Sequence, residues 1–73
     1  MFQIFLKNKK THTIIVTNDT TIKDIKNFIL NTLHIPSRCY YLINGGSILD
    51  NKNTLKDYSI NEGTTIEIVI RAV

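Results

Sequence analysis

The chain has 73 residues, 42% of them hydrophobic and 21% charged, and a formal net charge of +3 at pH 7. This length allows one small domain, residues 1–73, with a single modest core and no room for a second domain. The only cysteine, Cys39, excludes an internal disulfide, and no apolar run approaches the roughly 20 residues of a membrane-spanning helix. We therefore expect a soluble intracellular protein without a membrane partner. The expected location is the cytoplasm, with the nucleus as an alternative.

The first predicted elements are two strands that form an antiparallel hairpin. FQIFLK has the period of a half-buried strand, and its inward set is Phe2, Ile4 and Leu6. After the short polar tip NKKT, the segment HTIIVT is a second strand with Ile14 and Val16 inward. Lys7, Lys9 and Lys10 cluster around the tip. They would permit weak attraction to an acidic surface, but a solvated hairpin tip is the simpler interpretation, and we expect no specific nucleic-acid partner.

The next predicted element is a helix over residues 22–33. Thr21 and Asp24 form a capping-box pattern, in which hydroxyl and carboxylate satisfy free backbone N–H groups at a helix start. Pro36 prevents any continuation of this helix. At about 100° per residue one stripe of it is apolar and should pack on the sheet. The stripe consists of Ile22, Ile25, Ile29 and Leu33.

Two residues of the predicted helix do not fit this amphipathic pattern. Lys26 lies within about 40° of the centre of the stripe, so its ammonium must find water or a carboxylate, and Asp50 is a candidate partner. Phe28 points roughly 120° away from the centre of the stripe. It is predicted to be an exposed aromatic side chain unless a partner covers it.

The third and fourth predicted strands form a second hairpin. YYLIN turns Leu42 inward and its neighbours Tyr41 and Ile43 outward. The following NGG supplies residues that tolerate the positive φ of a tight turn. A short strand through Ile48 and Leu49 is predicted after it.

The end of the chain is predicted to form a helical turn and a closing strand. Thr54 and Asp57 repeat the capping pattern before a single turn that covers one end of the core with Leu55, Tyr58 and Ile60. Gly63 makes the last tight turn. TIEIVIR then alternates, with Ile66, Ile68 and Ile70 inward and Glu67, Val69 and Arg71 outward. The first and last strands should be adjacent and parallel, because the helix supplies the crossover that parallel pairing needs. The predicted fold class is α+β.

Several segments resemble ubiquitin, and together they extend over the whole chain. They are QIFLK, TIKDIK, IP, LINGG and TLKDYSI. The resemblance implies the β-grasp fold, in which a mixed five-stranded sheet wraps around one α-helix and a short helical turn. Within the superfamily the chain is most similar to FUBI, the ubiquitin-like half of the FAU fusion with a small-subunit ribosomal protein. The first hairpin is two residues shorter than that of ubiquitin but aligns with FUBI without gaps, and THTIIVT and TTIEI are similar to FUBI as well.

The resemblance also implies which residues the C-terminal tail must have if the domain is to be conjugated to other proteins. Ubiquitin-like modifiers require a terminal Gly-Gly, because enzyme tunnels that thread the tail do not admit a Cβ. Ala72 and Val73 are not that pair, and the alignment with FUBI places Val73 just before it. Either a diglycine and a ribosomal half follow in the gene, or this lineage has lost them and the domain is non-conjugated.

The resemblance further implies a protein-binding face on the outer side of the sheet. The matching positions are Ile43 and Val69, with Gly46 at the turn and Phe5 as a lesser candidate. Because this face also carries Tyr41, Ser47 and Glu67 where ubiquitin has arginine, lysine and histidine, we expect ordinary ubiquitin readers to bind weakly. The alternative interpretation is structural, since β-branched residues suit strands and a strand phenylalanine often packs across its pair.

The sequence predicts neither an enzyme nor a cofactor or metal site. Cys39 with His12 or His34 would need a cleft, an oriented base and oxyanion donors that so small a domain does not offer. Two functional hypotheses remain. One is a FUBI-type domain made as an N-terminal fusion to a ribosomal protein, and the other is a stand-alone or embedded module that docks noncovalently. The expected partners are ubiquitin-binding-type domains, a processing protease and the fused ribosomal protein, with the domain itself a monomer.

Overall fold

The computed structural model describes residues 1–71, so the expectation for Ala72 and Val73 lies outside the described residues. The described part contains one α-helix, five strands and two short 3₁₀ helices. The strands are β1 Phe2–Asn8, β2 Lys10–Val16, β3 Tyr40–Asn44, β4 Ser47–Ile48 and β5 Thr65–Ile70. The helix is α1 Ile22–Leu33, and the 3₁₀ helices are Ser37–Cys39 and Lys56–Tyr58. In residues 1–71 no helix combines the length and hydropathy required to span a membrane.

The five strands form one mixed sheet in the order β2-β1-β5-β3-β4. β1 and β5 are adjacent and parallel, as predicted, with Leu6 opposite Ile66. The other neighbouring pairs are antiparallel. This arrangement confirms the α+β class and the ubiquitin-like β-grasp fold that the resemblance implied.

Both hairpin turns depend on positive φ angles. Lys9 alone connects β1 to β2 and has a φ of 63°, which a non-glycine residue adopts only at some energetic cost. Gly45 and Gly46, with φ of 60° and 83°, connect β3 to β4 and bring Asn44 opposite Ser47. Two consecutive positive φ values fit the right-handed twist of the flanking strands, so this turn sets the register of β4.

The helix has the predicted bounds and the predicted cap. The Asp24 amide donates to the Thr21 hydroxyl at 3.1 Å, and the Thr21 amide donates to the Asp24 carboxylate at 3.0 Å. The helix ends at Leu33, and the C-cap residue His34 has a left-handed φ of 59° and donates its amide to the Leu30 carbonyl. The sequence pattern did not predict this cap, because glycine is the residue usually found there.

The core lies between the inner face of the sheet and α1. Its buried side chains are all hydrophobic, and every strand except β4 contributes at least two of them. They are Ile4, Leu6, Ile14, Val16, Ile22, Ile25, Ile29, Tyr40, Leu42, Leu49, Leu55, Ile60, Ile66 and Ile68. Leu49 follows β4 rather than belonging to it, and its amide donates to the Leu42 carbonyl at 2.9 Å.

Three expectations from the sequence are wrong. Ile70 was expected inward but is 50% exposed, because β1 pairs with β5 only along 65–67 and leaves the end of the strand uncovered. Phe28 is half-buried and packs against the core instead of standing free in solvent. Lys26 forms no ion pair with Asp50, whose carboxylate instead accepts a hydrogen bond from the Lys52 amide at 3.1 Å.

Candidate protein-docking surface

The outer face of the sheet is opposite the side that α1 covers. Successive side chains of a strand point to opposite faces, and Tyr40 and Leu42 of β3 are buried against the helix. Tyr41 and Ile43 are therefore on the outer face. The same alternation in β5, where Ile66 and Ile68 are buried, places Glu67 and Val69 on that face.

The strand register brings four apolar residues of this face together. Ile43 is opposite Ile48 on β4, and Tyr41 is opposite Val69 on β5. Val69 and Ile43 are diagonal neighbours across the pair of strands. We call these four residues, Tyr41, Ile43, Ile48 and Val69, the β3–β5 patch. It unites the two principal positions that the sequence had indicated.

An open groove of about 640 Å³ adjoins the patch near the end of β5. It is lined by Tyr41, Ile48, Ile70 and Arg71. Ile48 is 64% exposed and Ile70 is 50% exposed, so both present apolar surface that no described residue covers. The Arg71 guanidinium carbon lies 5.9 Å from the centroid of the Tyr41 ring, within range of a cation–π contact. The groove therefore has an apolar floor with a cation at one end.

Charge is confined to the margin of the patch. Glu67 is opposite Ile43 on one side and Lys7 of β1 on the other. Arg71 lies just beyond the end of β5. An apolar centre with charges at its edge is the usual arrangement of a binding surface, because the centre can be desolvated while the rim stays wet.

The remaining two candidate residues are not part of the patch. Gly46 lies in the turn between β3 and β4, and its φ of 83° is needed for the geometry of that turn. Phe5 is half-buried on β1, where it is opposite Thr13 of β2 and Thr65 of β5. Two threonines beside it leave Phe5 as an isolated aromatic side chain rather than a member of a larger apolar surface.

Three residues of the groove, Ile48, Ile70 and Arg71, are not among the site residues predicted from the sequence. The membership of Ile48 could have been predicted, because a two-residue Gly-Gly turn fixes the register that pairs it with Ile43. Ile70 had no such signal. Its exposure follows from where β1 stops pairing with β5, which is a property of the assembled sheet.

The residues with catalytic potential lie on separate elements. Cys39 is half-buried in the first 3₁₀ helix, His12 is opposite Leu6 in the first hairpin, and His34 caps α1. Among residues 1–71, no three His, Cys, Asp or Glu side chains are grouped as metal ligands would be.

These observations define a β-grasp domain with an apolar face on the outside of its sheet. A family model described as the ubiquitin family matches residues 4–73, nearly the full length of the chain. The chain therefore belongs to the ubiquitin family.

Proposed function

We propose that this protein is a docking module of the ubiquitin family that binds an apolar helix of a partner protein at the β3–β5 patch. The observation that supports this most directly is the register that gathers Tyr41, Ile43, Ile48 and Val69 on one outer face. A patch of this kind binds by removing apolar surface from water, which is worth about 25 cal/mol per Å². The module acts by binding rather than by catalysis.

The rim of the patch would determine which helix is accepted. Glu67 disfavours an acidic residue beside Ile43, whereas Arg71 favours one beyond the end of β5. A helix with an apolar stripe, a basic residue facing Glu67 and an acidic residue facing Arg71 would satisfy both ends. The proposed partner therefore differs in charge from the domains that bind ubiquitin itself, and we expect those domains to bind this protein weakly.

Nuclear magnetic resonance titration with a panel of helical ubiquitin-binding domains tests the proposal. The expected result is weak, saturable binding by at least one domain, with shifts confined to the amides of residues 41–48 and 67–71. The variant Ile48→Ser should weaken that binding about tenfold, because the hydroxymethyl group forfeits most of the apolar contact. Ile43→Ala and Val69→Ala should also weaken it.

Ile15 supplies a matched control for these variants. It is an isoleucine on the other edge strand, β2, and its exposed fraction of 60% is close to the 64% of Ile48. Ile15→Ser should leave binding unchanged. Equal losses in Ile15→Ser and Ile48→Ser, or shifts centred on α1, would contradict docking at the patch.

A second, finer proposal is that the domain is of the FUBI type and is made as an N-terminal fusion to a small-subunit ribosomal protein. The single-residue tip at Lys9 supports it, because the short first hairpin is the feature that distinguishes this chain from ubiquitin. The fused protein and a processing protease would then be further partners. Sequencing the full transcript tests this. Gly-Gly and a Lys/Arg-rich segment after the codon for Val73 are expected, and a stop codon there would overturn the fusion.

A further inference from the structure

A second concave site lies on the helical side of the molecule, away from the β3–β5 patch. It is a pocket of about 140 Å³ between α1, the first 3₁₀ helix and the loop that follows β4. Its lining residues are Lys23, Lys26, Asn27, Leu30, Ser37 and Asn51. Two ammonium groups, two carboxamides and one hydroxyl supply its side-chain polar atoms, and no carboxylate of residues 1–71 is part of the lining.

The helix and one loop together hold these donors in place. The four helical residues of the lining, 23, 26, 27 and 30, have the spacing i, i+3, i+4 and i+7, which places them on one face of α1. The loop that carries Asn51 is tied to the start of the helix by two backbone hydrogen bonds. The Lys23 amide donates to the Asn51 carbonyl at 3.2 Å, and the Ile22 amide donates to the Asn53 carbonyl at 3.0 Å.

Within residues 1–71, no carboxylate forms an ion pair with Lys26. The Asp50 carboxylate is turned toward the Lys52 amide, so it assists Lys26 only from a distance. Burial lowers the pKa of Lys26, the nearby Arg71 lowers it further, and Asp50 offsets only part of this effect. An added anion therefore lowers the free energy of the half-buried Lys26 ammonium more than it lowers that of an exposed lysine.

We propose that this pocket binds a small oxyanion of the phosphate class, held by Lys23 and Lys26 with the carboxamides of Asn27 and Asn51 and the Ser37 hydroxyl. A tetrahedral oxyanion has enough acceptor positions for all five groups. The pocket is smaller than the roughly 300–1,000 Å³ of sites for whole cofactors, which limits the bound part to a group of phosphate size. This site lies on the opposite side of the sheet from the docking surface and does not depend on the proposed function.

Titration of the full chain with sodium phosphate, at an ionic strength held constant with sodium chloride, tests the proposal. The expected result is saturable shifts of the amides of Lys23, Lys26, Asn27, Ser37 and Asn51. A parallel titration with O-phosphoserine distinguishes the source of the group. Tighter binding of the phosphomonoester would assign the site to a phosphorylated molecule, and tighter binding of inorganic phosphate would assign it to the free ion.

Lysine variants make the test specific. Lys23→Gln and Lys26→Gln should each weaken phosphate binding about tenfold, since each removes a charge-assisted hydrogen bond. Lys23 is exposed, so its variant should fold even if Lys26→Gln did not. Lys56→Gln, which removes an exposed lysine outside the pocket, should have no effect. The same shifts with sodium chloride alone, or equal losses in Lys23→Gln and Lys56→Gln, would overturn the proposal.

Discussion

Two tyrosines of this domain use their hydroxyl groups in opposite ways. Tyr40 is 1% exposed, and its hydroxyl is the one buried side-chain polar atom that finds no hydrogen-bond partner within residues 1–71. The Tyr58 hydroxyl accepts a hydrogen bond from the Asp50 amide at 2.7 Å and another from the Asn53 carboxamide at 3.1 Å. Because an unpaired buried hydroxyl loses its contact with water without replacement, Tyr40 stabilises the fold through its ring alone. Tyr58 also packs against the core, and its oxygen adds the two hydrogen bonds.

Removing each hydroxyl should therefore change stability in a different direction. Tyr40→Phe should leave the free energy of unfolding unchanged or raise it by up to about 1 kcal/mol, since it removes an unsatisfied polar group and keeps the ring. Tyr58→Phe should lower it by about 1–2 kcal/mol, because two donors lose their acceptor. Urea unfolding of the three proteins measures this difference. A larger loss for Tyr40→Phe than for Tyr58→Phe would mean that the Tyr40 hydroxyl is satisfied in solution.

Tyr40 should also make the stability of the fold depend on pH in the alkaline range. Burial raises the pKa of Tyr40 to about 12 in the folded protein, from the ordinary value of 10.0. Above pH 10 the unfolded chain can lose this proton while the folded protein retains it, so ionisation favours unfolding. Stability from this group is complete below pH 10 and falls as the pH rises toward 12. Unfolding at a series of pH values should show a shallower decline for Tyr40→Phe, and identical slopes would refute the assignment.

At the scale of single elements, α1 is defined by local chemistry at its start and by burial along one face. The reciprocal hydrogen bonds of Thr21 and Asp24 satisfy two backbone donors that have no partner inside the helix. Ile22, Ile25 and Ile29 are fully buried one to two turns apart. Both signals lie within a few residues of one another, which is why the predicted bounds and the observed bounds agree.

The contribution of the cap can be isolated with two threonine variants. Thr21→Ala should lower the free energy of unfolding by about 1 kcal/mol, the usual cost of losing a capping hydroxyl. Thr32→Ala is the matched control, because Thr32 is exposed near the other end of the same helix. It should be neutral or slightly stabilising, since alanine has the higher helix propensity. Equal effects of the two substitutions in urea unfolding would show that the cap contributes nothing.

At the scale of the whole molecule, the sheet is strongest at its centre and weakest at its edge. β1 and β5 each have a strand on both sides, whereas β4 has two residues and one neighbour. The parallel pair lies at the centre of the sheet and joins segments close to the two ends of the described chain, so we expect its contacts to be lost with global unfolding. The edge at β4, which carries Ile48 of the β3–β5 patch, can open locally.

Hydrogen exchange should report this difference between centre and edge. The Phe5 amide donates to the Thr64 carbonyl and the Leu49 amide donates to the Leu42 carbonyl, each at 2.9 Å. Despite equal hydrogen-bond lengths, the Leu49 amide should exchange at least tenfold faster, because it adjoins the short edge strand. The ratio of the two exchange rates, corrected for intrinsic rates, measures the effect. Similar protection at both sites would mean that β4 opens only with global unfolding.

The sequence by itself determined the elements and the family. Strand periods, capping residues and the Gly-Gly turn act over a few positions, so α1 and the buried side of most strands could be predicted without the structure. Only the tertiary structure decided that Ile70 is exposed, that Phe28 is covered and that Asp50 faces the Lys52 amide rather than Lys26. It also decided which residues line the pocket and that Ile70 and Arg71 line the groove beside the patch. Except for the contact between Asp50 and the Lys52 amide, which joins residues two positions apart, these outcomes depend on segments far apart in the chain. Local patterns do not record how such segments pack against one another.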